Sequence, residues 1–251
     1  MRKAVTIVVI NLLISPLFAF EADSVIKFGN DSYAKGLYYY AIEAYEQAVD
    51  SGYEAPELYY NLGNAYYKIN NIPMAILNYE KAKKLDPYDA DINHNLALAN
   101  AHVIDKIDII PEFFIKTWIR NIVSLTEPDR WAVISISAFL LFLVLFLIYL
   151  FSARVALKKV TFWLGILILF ISVSAFYSAW KRKELLTAKD SAIIISPTVT
   201  AKSSPAESGV DLFVIHEGTK IIIEDSLDIW KRIRIGDGTV GWIRNEDMEI
   251  I

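Results

Sequence analysis

Four hydrophobic patterns follow one another along the chain, and each predicts a different element. No charged residue occurs between Arg130 and Arg154, or between Lys159 and Lys181. Each gap holds a little over 20 residues, rich in Leu, Ile, Phe and Val, and about 20 such residues cross a bilayer as a helix. Transmembrane helices are therefore expected at 131–153 and 160–180, joined by a loop at 154–159. Each central Leu, Ile, Phe or Val favours the membrane by about 0.3–0.6 kcal/mol, so Phe139–Leu150 alone contributes several. Two buried helices of a large soluble core are the alternative, but the flanking segments are too short and too polar to wrap them. A third apolar run, Ala4–Ile14, lies between Arg2-Lys3 and Ser15–Ala19 and reads as a secretory signal at 1–19, cleaved after Ala19.

Upstream of the charge-free gaps the pattern is helical and repeats. Residues 22–55 and 56–89 share one 34-residue register: Phe28-Gly29-Asn30 recurs as Leu62-Gly63-Asn64, Ala41-Ile42 as Ala75-Ile76, Tyr45-Glu46 as Tyr79-Glu80, and Ala48 as Ala82. With Pro87 closing the second copy, the pattern resembles the tetratricopeptide (TPR) helix–turn–helix repeat. Helix A is expected at about 23–35 and 56–69, and helix B at about 38–50 and 72–84. Lys35-Gly36 and Asn70-Asn71 mark the internal turns. Gly29 and Gly63 fall where the helices approach closely. Residues 90–104 copy helix A alone and are expected to cap the apolar edge of the stack, making 20–104 one repeat region. Such a stack leaves a groove for a partner. By register, Asn30, Tyr33, Tyr60, Asn64 and Tyr67 project into that groove, where asparagine amides can pair with an extended backbone and tyrosines supply rigid contact area.

Between the repeats and the first gap, a linker at 105–130 is amphipathic over 107–125. Phe113, Phe114, Trp118, Ile119 and Ile122 oppose Glu112, Lys116 and Arg120. A helix lying in the membrane interface fits this pattern, and so does a helix packed on the repeat stack. Beyond Lys183 the period shortens. Ala192–Ile195, Leu212–Ile215, Lys220–Ile223, Trp230–Ile235 and Val240–Ile243 read as strands, separated by Ser204-Pro205, Glu217-Gly218 and Gly236-Asp237-Gly238. Five or six strands in about 60 residues suggest a small all-β barrel over 187–251. The phrase His216-Glu217-Gly218-Thr219, then Trp230, then Asp237-Gly238-Thr239-Val240-Gly241-Trp242-Ile243, resembles the bacterial SH3-like domain. That resemblance implies that Gly241-Trp242 closes the barrel, with Trp242 in the core. Some relatives bind cell-wall peptides.

Charge then refines the picture. Residues 20–105 carry a net −7 and 184–251 a net −5, whereas 106–183 carry +6. Basic charge thus sits beside the expected bilayer, and both soluble parts are acidic, which argues against nucleic acid. Two spans return the chain to its starting side, and export places repeats and barrel together in the periplasm. The loop charges do not decide orientation, since Arg154, Lys158 and Lys159 balance Lys181-Arg182-Lys183.

Little material for catalysis exists. There are three histidines and no cysteine, so a disulfide framework and a lipoprotein anchor are excluded. His94 and His102 would lie about 12 Å apart on one helix, too far to share a metal. Asp225, Asp228 and Asp237 fall in turn-like stretches, where Asp is common. No catalytic residue, metal or cofactor is expected.

The full order of parts (signal, repeat pair, Trp-rich interfacial segment, membrane hairpin and SH3-like end) resembles the BatE-type proteins of the bacterial aerotolerance operon. The resemblance implies an inner-membrane protein working with Bat proteins that carry von Willebrand factor A (VWA) domains, and indirectly with a MoxR-type ATPase. The expected function is a non-enzymatic periplasmic scaffold for such a complex. Peptidoglycan binding through the SH3-like domain is the alternative.

Overall fold

The computed structural model describes residues 23–107, 110 and 113–251. The expected signal at 1–19 lies outside them. The chain divides into two compact units, one joining the residues up to Ile110 with Lys189–Ile251, the other being Pro111–Ala188.

In the first unit, α1 (23–34), α2 (Tyr38–Asp50), α3 (Pro56–Lys68), α4 (Ile72–Leu85) and α5 (Ala90–Asn100) match the expected helix pairs and cap to within a few residues. Their ends follow local chemistry. After α1, Leu37 N–H bonds Ser32 C=O and Gly36 N–H bonds Tyr33 C=O. After α3, the same pair recurs 34 residues on, from Asn71 to Tyr66 and from Asn70 to Tyr67. This closure needs a left-handed residue, supplied by Gly36 (φ 76°) and Asn70 (φ 60°). The Asn71 side chain caps α4 by accepting from Met74 N–H, and Asp89 caps α5 by accepting from Ile92 N–H. Between the helices, Ala41, Ala48, Ala65, Ala75 and Ala82 let backbones approach, and Tyr45 and Tyr79 fill the space beside them. A Cβ on Gly29 would lie 2.6 Å from the Tyr45 ring, and one on Gly63 2.7 Å from the Tyr79 ring. The two glycines are seats for those rings.

Seven antiparallel strands follow: β1 (Ser191–Ile194), β2 (Thr198–Lys202), β3 (Asp211–His216), β4 (Lys220–Leu227), β5 (Trp230–Arg234), β6 (Val240–Arg244) and β7 (Met248–Ile250). Their order is β3-β2-β6-β5-β4-β1-β7, with β3 and β7 as edges. The hydrogen-bonded ladder does not close, so an antiparallel sheet stands where a closed barrel was expected. Two strands were missed. β2 (Thr-Val-Thr-Ala-Lys) carries a single large apolar residue, and β7 has only three residues.

Trp242 departs from its expected place. Gly241 and Ile243 are buried and Trp242 between them is only half-buried, outside the sheet core. Side chains alternate across a strand, so an inward Ile243 turns Trp242 to the other face. Gly241 is required because a Cβ there would meet Ala201 at 2.9 Å and Phe213 at 3.0 Å.

Repeats and sheet, expected as separate modules, share one unit because β1 is buried on both faces. Ala192 and Ile194 enter the sheet core, whereas Ile193 joins the repeat core together with Ile251. The chain leaving α5 then runs along the sheet. Val103 and Ile76 press on Gly218, where a Cβ would meet them at 2.9 and 3.2 Å. The Asp105 carboxylate accepts from His216 N–H (2.7 Å) and Thr219 O–H (2.8 Å) and lies 2.9 Å from His216 Nδ1. Burial alone would raise the Asp105 pKa, but these hydrogen bonds from His216 and Thr219 outweigh it and hold the carboxyl below its ordinary range. Ile107 packs on the sheet core and Ile110 N–H bonds Gly236 C=O at 3.0 Å. From α4, Lys84 donates to Ile251 C=O (2.9 Å) and Glu80 pairs with Lys220 (2.7 Å). The His-Glu-Gly-Thr phrase is thus the docking turn between the two modules.

The second unit holds α6 (Phe114–Val123), α7 (Pro128–Phe151) and α8 (Val155–Thr187). α7 and α8 are long and apolar enough to cross a membrane. Their connection, 152–154, is shorter than expected, because α8 extends the apolar run through charged residues at both ends. Mostly small side chains are buried in α7 and α8: Ser135, Thr161, Gly165, Ser172, Ala175 and Ser178, with Leu145 the one large apolar residue among them. Ser135 Oγ donates to Ser172 C=O and Ser172 Oγ to Ser135 C=O, both at 2.9 Å.

Candidate partner-binding groove

Three of the five expected groove residues, Asn30 on α1 and Tyr60 and Asn64 on α3, join one polar ladder that α5 continues, while Tyr33 and Tyr67 make separate ring contacts. Tyr45 O–H donates to Asn30 Oδ1 at 2.7 Å, and Tyr79 O–H donates to Asn64 Oδ1 at 2.7 Å. Each asparagine oxygen also accepts from an amide on the next A helix. Asn61 Nδ2 reaches Asn30 at 3.3 Å, and Asn95 Nδ2 reaches Asn64 at 2.8 Å. Asn95 Nδ2 also donates to the Tyr60 hydroxyl oxygen at 3.1 Å. The geometry therefore repeats with the sequence, one rung per repeat. Asn61 and Asn95 were absent from the sequence-based set, although they stand 34 residues apart in the same register.

The rungs are rigid for identifiable reasons. Burial pushes the Tyr45 hydroxyl up to about 12, with neighbouring Tyr33 adding to the effect. The Tyr79 hydroxyl is likewise raised, first by burial and then by nearby Tyr60. Both stay protonated donors at neutral pH, which locks the oxygens of Asn30 and Asn64 and turns each amide nitrogen away from its tyrosine. Tyr33 stacks edge-on with Tyr38 at 5.3 Å, and Tyr67 edge-on with His102 at 5.8 Å. Tyr33, Tyr60 and Tyr67 are half-buried and Asn30 is exposed, so each ring keeps a wet side for contact. Tyr66 O–H on α3 donates to the Glu46 carboxylate on α2, tying the second A helix to the first B helix.

The other singled-out residues play structural parts. Asp228 sits in the β4–β5 turn at φ 52°. Asp225 lies within β4 at an irregularity and accepts from Ser226 N–H. Asp237 accepts from Thr239 N–H at 2.8 Å, and that bond holds its carboxyl below the usual range. His102 Nδ1 lies 3.0 Å from Leu98 C=O. Among the described residues no three His, Asp or Glu side chains converge as a metal site. On the sheet, Ser203, Leu212, Arg232, Val240, Gly241 and Trp242 line a cleft of about 300 Å³.

Residues 56–89 match the tetratricopeptide repeat family model. Among solved structures the chain is similar to the Sgt2 TPR domain from Aspergillus fumigatus, at 28% identity over 32% of this chain, with a TM-score of 0.31. The match spans 54% of that chain, about half its length. No curated protein matches.

Proposed function

We propose that this chain is a non-enzymatic, membrane-anchored scaffold whose A-helix groove takes an extended segment of a partner protein. Tetratricopeptide repeats generally bind protein partners, and stacked repeats present an extended surface for them. The carrying observation is the Asn–Tyr ladder, in which Asn30 and Asn64 are each held by a buried tyrosine hydroxyl at 2.7 Å. A pre-organised amide row loses little freedom on binding a peptide backbone.

The apolar helices α7 and α8 tether the scaffold in the bacterial inner membrane. The Asp105–His216 and Asp105–Thr219 bonds require repeats and sheet to share a compartment, and the N-terminal signal pattern supports the periplasm as that compartment. The order of parts supports a BatE-type protein, with VWA-domain Bat proteins as direct partners and a MoxR-type ATPase beyond them. The sheet is read as SH3-like on its Gly218 docking turn and Gly241 contact. Confinement to one membrane face raises effective concentration, so weak groove contacts add up.

Detergent extracts of cells carrying tagged protein should yield VWA-type partners, and Tyr33→Ala with Tyr67→Ala should lose them while thermal unfolding stays cooperative. Retention of the partners by the folded double variant would sink the groove reading. One observation favours a second reading. The cleft of about 300 Å³ beside Trp242 and Arg232 is read as the seat of a cell-wall peptide. Sedimentation of the detergent-solubilised full chain with purified peptidoglycan tests it, and a Trp242→Ala variant should stay in the supernatant.

A further inference from the structure

We infer that α6 is an in-plane anchor, lying in the headgroup layer of the same bilayer that α7 and α8 span and selecting anionic lipid. The inference rests on the membrane-spanning reading of α7 and α8. Aromatic residues cluster at both ends of that hairpin. Trp131, Tyr177 and Trp180 mark one end; Tyr149 and Trp163 mark the other. At 1.5 Å per residue, Trp131 to Tyr149 spans about 27 Å and Trp163 to Trp180 about 26 Å. That separation fits two interfacial belts across a hydrocarbon core of about 30 Å.

α6 is fastened at the first of these ends. Trp131 Nε1–H donates to Val123 C=O at 3.0 Å. Arg182, only 5% exposed, reaches Ser124 Oγ at 3.4 Å from the last turns of α8. The C-terminus of α6 is therefore held level with the Trp131–Trp180 belt. From there Phe114, Ile115, Trp118, Ile119 and Ile122 occupy an arc of about 140° on the helix. Phe113, Phe114 and Trp118 are 68%, 71% and 64% exposed. Only Val123 of this helix is buried. A face this aromatic, continuous with the belt, fits the boundary between headgroups and acyl chains, about 5–10 Å deep.

Charge complements that occupant. Lys116 and Arg120 lie together on the opposite arc and are exposed. With Arg130, Lys181, Arg182 and Lys183 they make six basic groups at this end, against Glu127, Asp129 and Glu184. Basic groups beside a bilayer attract anionic headgroups.

The chain has no cysteine, so single cysteines can be introduced into the full protein without further change. Spin labels at Phe114→Cys, Trp118→Cys, Lys116→Cys, Arg120→Cys and Leu141→Cys would be read in vesicles of phosphatidylcholine, with and without phosphatidylglycerol. Oxygen, which partitions into lipid, and a water-soluble nickel chelate serve as the two relaxing agents. Labels at 114 and 118 should favour oxygen at shallow depth and those at 116 and 120 nickel, with the label at 141 deepest. Adding phosphatidylglycerol should deepen 114 and 118. Equal nickel access at all four α6 positions, or no access to either agent at 114 and 118, would overturn the anchor while the label at 141 still reports lipid. No change with phosphatidylglycerol would overturn the lipid selectivity. Nickel access at 141 would instead overturn the spanning reading, and the anchor with it.

Discussion

In the repeat-and-sheet unit Tyr45, Tyr79, Ile76 and Ile193 are at most 1% exposed, whereas in α7 and α8 Phe151, Trp163, Phe170 and Phe176 are 68–84% exposed. Apart from Leu145 and Arg182, the buried residues there are small: Ser135, Thr161, Gly165, Ser172, Ala175 and Ser178. The two units sort the same twenty side chains in opposite directions. In water, burying large apolar groups drives assembly, so polar groups are left outside or clasped, as Asp105 is. Between helices in lipid no such drive exists; close backbone contact through small residues, with hydroxyls bonded across, takes its place. Glycine shows the contrast at one atom. Gly63 holds a tyrosine ring, whereas a Cβ on Gly165 would find only Phe142 at 3.8 Å.

Four experiments would break or sharpen that contrast, beginning with the largest effect. Leu141→Arg, in the middle of α7, should cost about 2.5–3.5 kcal/mol of insertion free energy. Tyr39→Arg, on a still more exposed residue of the repeats (74% against 47% for Leu141), should change stability by less than about 0.5 kcal/mol. Glycosylation mapping of α7 and urea melts would read the two, and equal tolerance at both sites would refute the inside-out sorting.

Next comes one substitution with opposite signs. Gly63→Ala should destabilise by about 1–3 kcal/mol, because the fully packed Tyr79 ring cannot withdraw. Gly165→Ala should be neutral or stabilise α8, since alanine is the better helix former by up to about 1 kcal/mol. Thermal unfolding of both variants in detergent would decide it.

Third is the Asp105 clasp. Asp105→Ala should cost about 1–2 kcal/mol by stranding His216 N–H and Thr219 O–H. The folded carboxyl has a depressed pKa, so its contribution is fully present above the unfolded value of about 4 and fades as pH falls through the folded one. Urea midpoints of wild type and variant should therefore differ at pH 7 and converge near the acid limit; a gap that widened on acidification would contradict the assignment. Smallest is Lys220→Ala, which removes a half-exposed ion pair with Glu80 and should cost under about 1 kcal/mol. Salt titration of the wild-type melt should erase a similar amount.

The Asn–Tyr ladder was legible in outline because its period and its polar positions share one register. Asn30 and Asn64 could be picked by counting. Asn61 and Asn95 could not be picked from residue type alone, since nothing local distinguishes an amide that spans two helices from one that faces water. The parity of β6 was available too: an inward Ile243 already implied an outward Trp242. β1 carried a subtler sign, since Ala192–Ile194 are apolar without alternation, as strands covered on both faces are.

Local order follows from near neighbours in the chain, and so the sequence alone determined the repeat period, the glycine and asparagine turns, the apolar spans and most strands. Periodicity and turn chemistry act over a few residues, and their rules need no partner. Which surfaces meet was decided only in three dimensions. His216 and Asp105 are 111 residues apart, and Lys84 and Ile251 are 167 apart. Contacts at such separations depend on the joint fit of shapes and donors, which no short window of sequence contains.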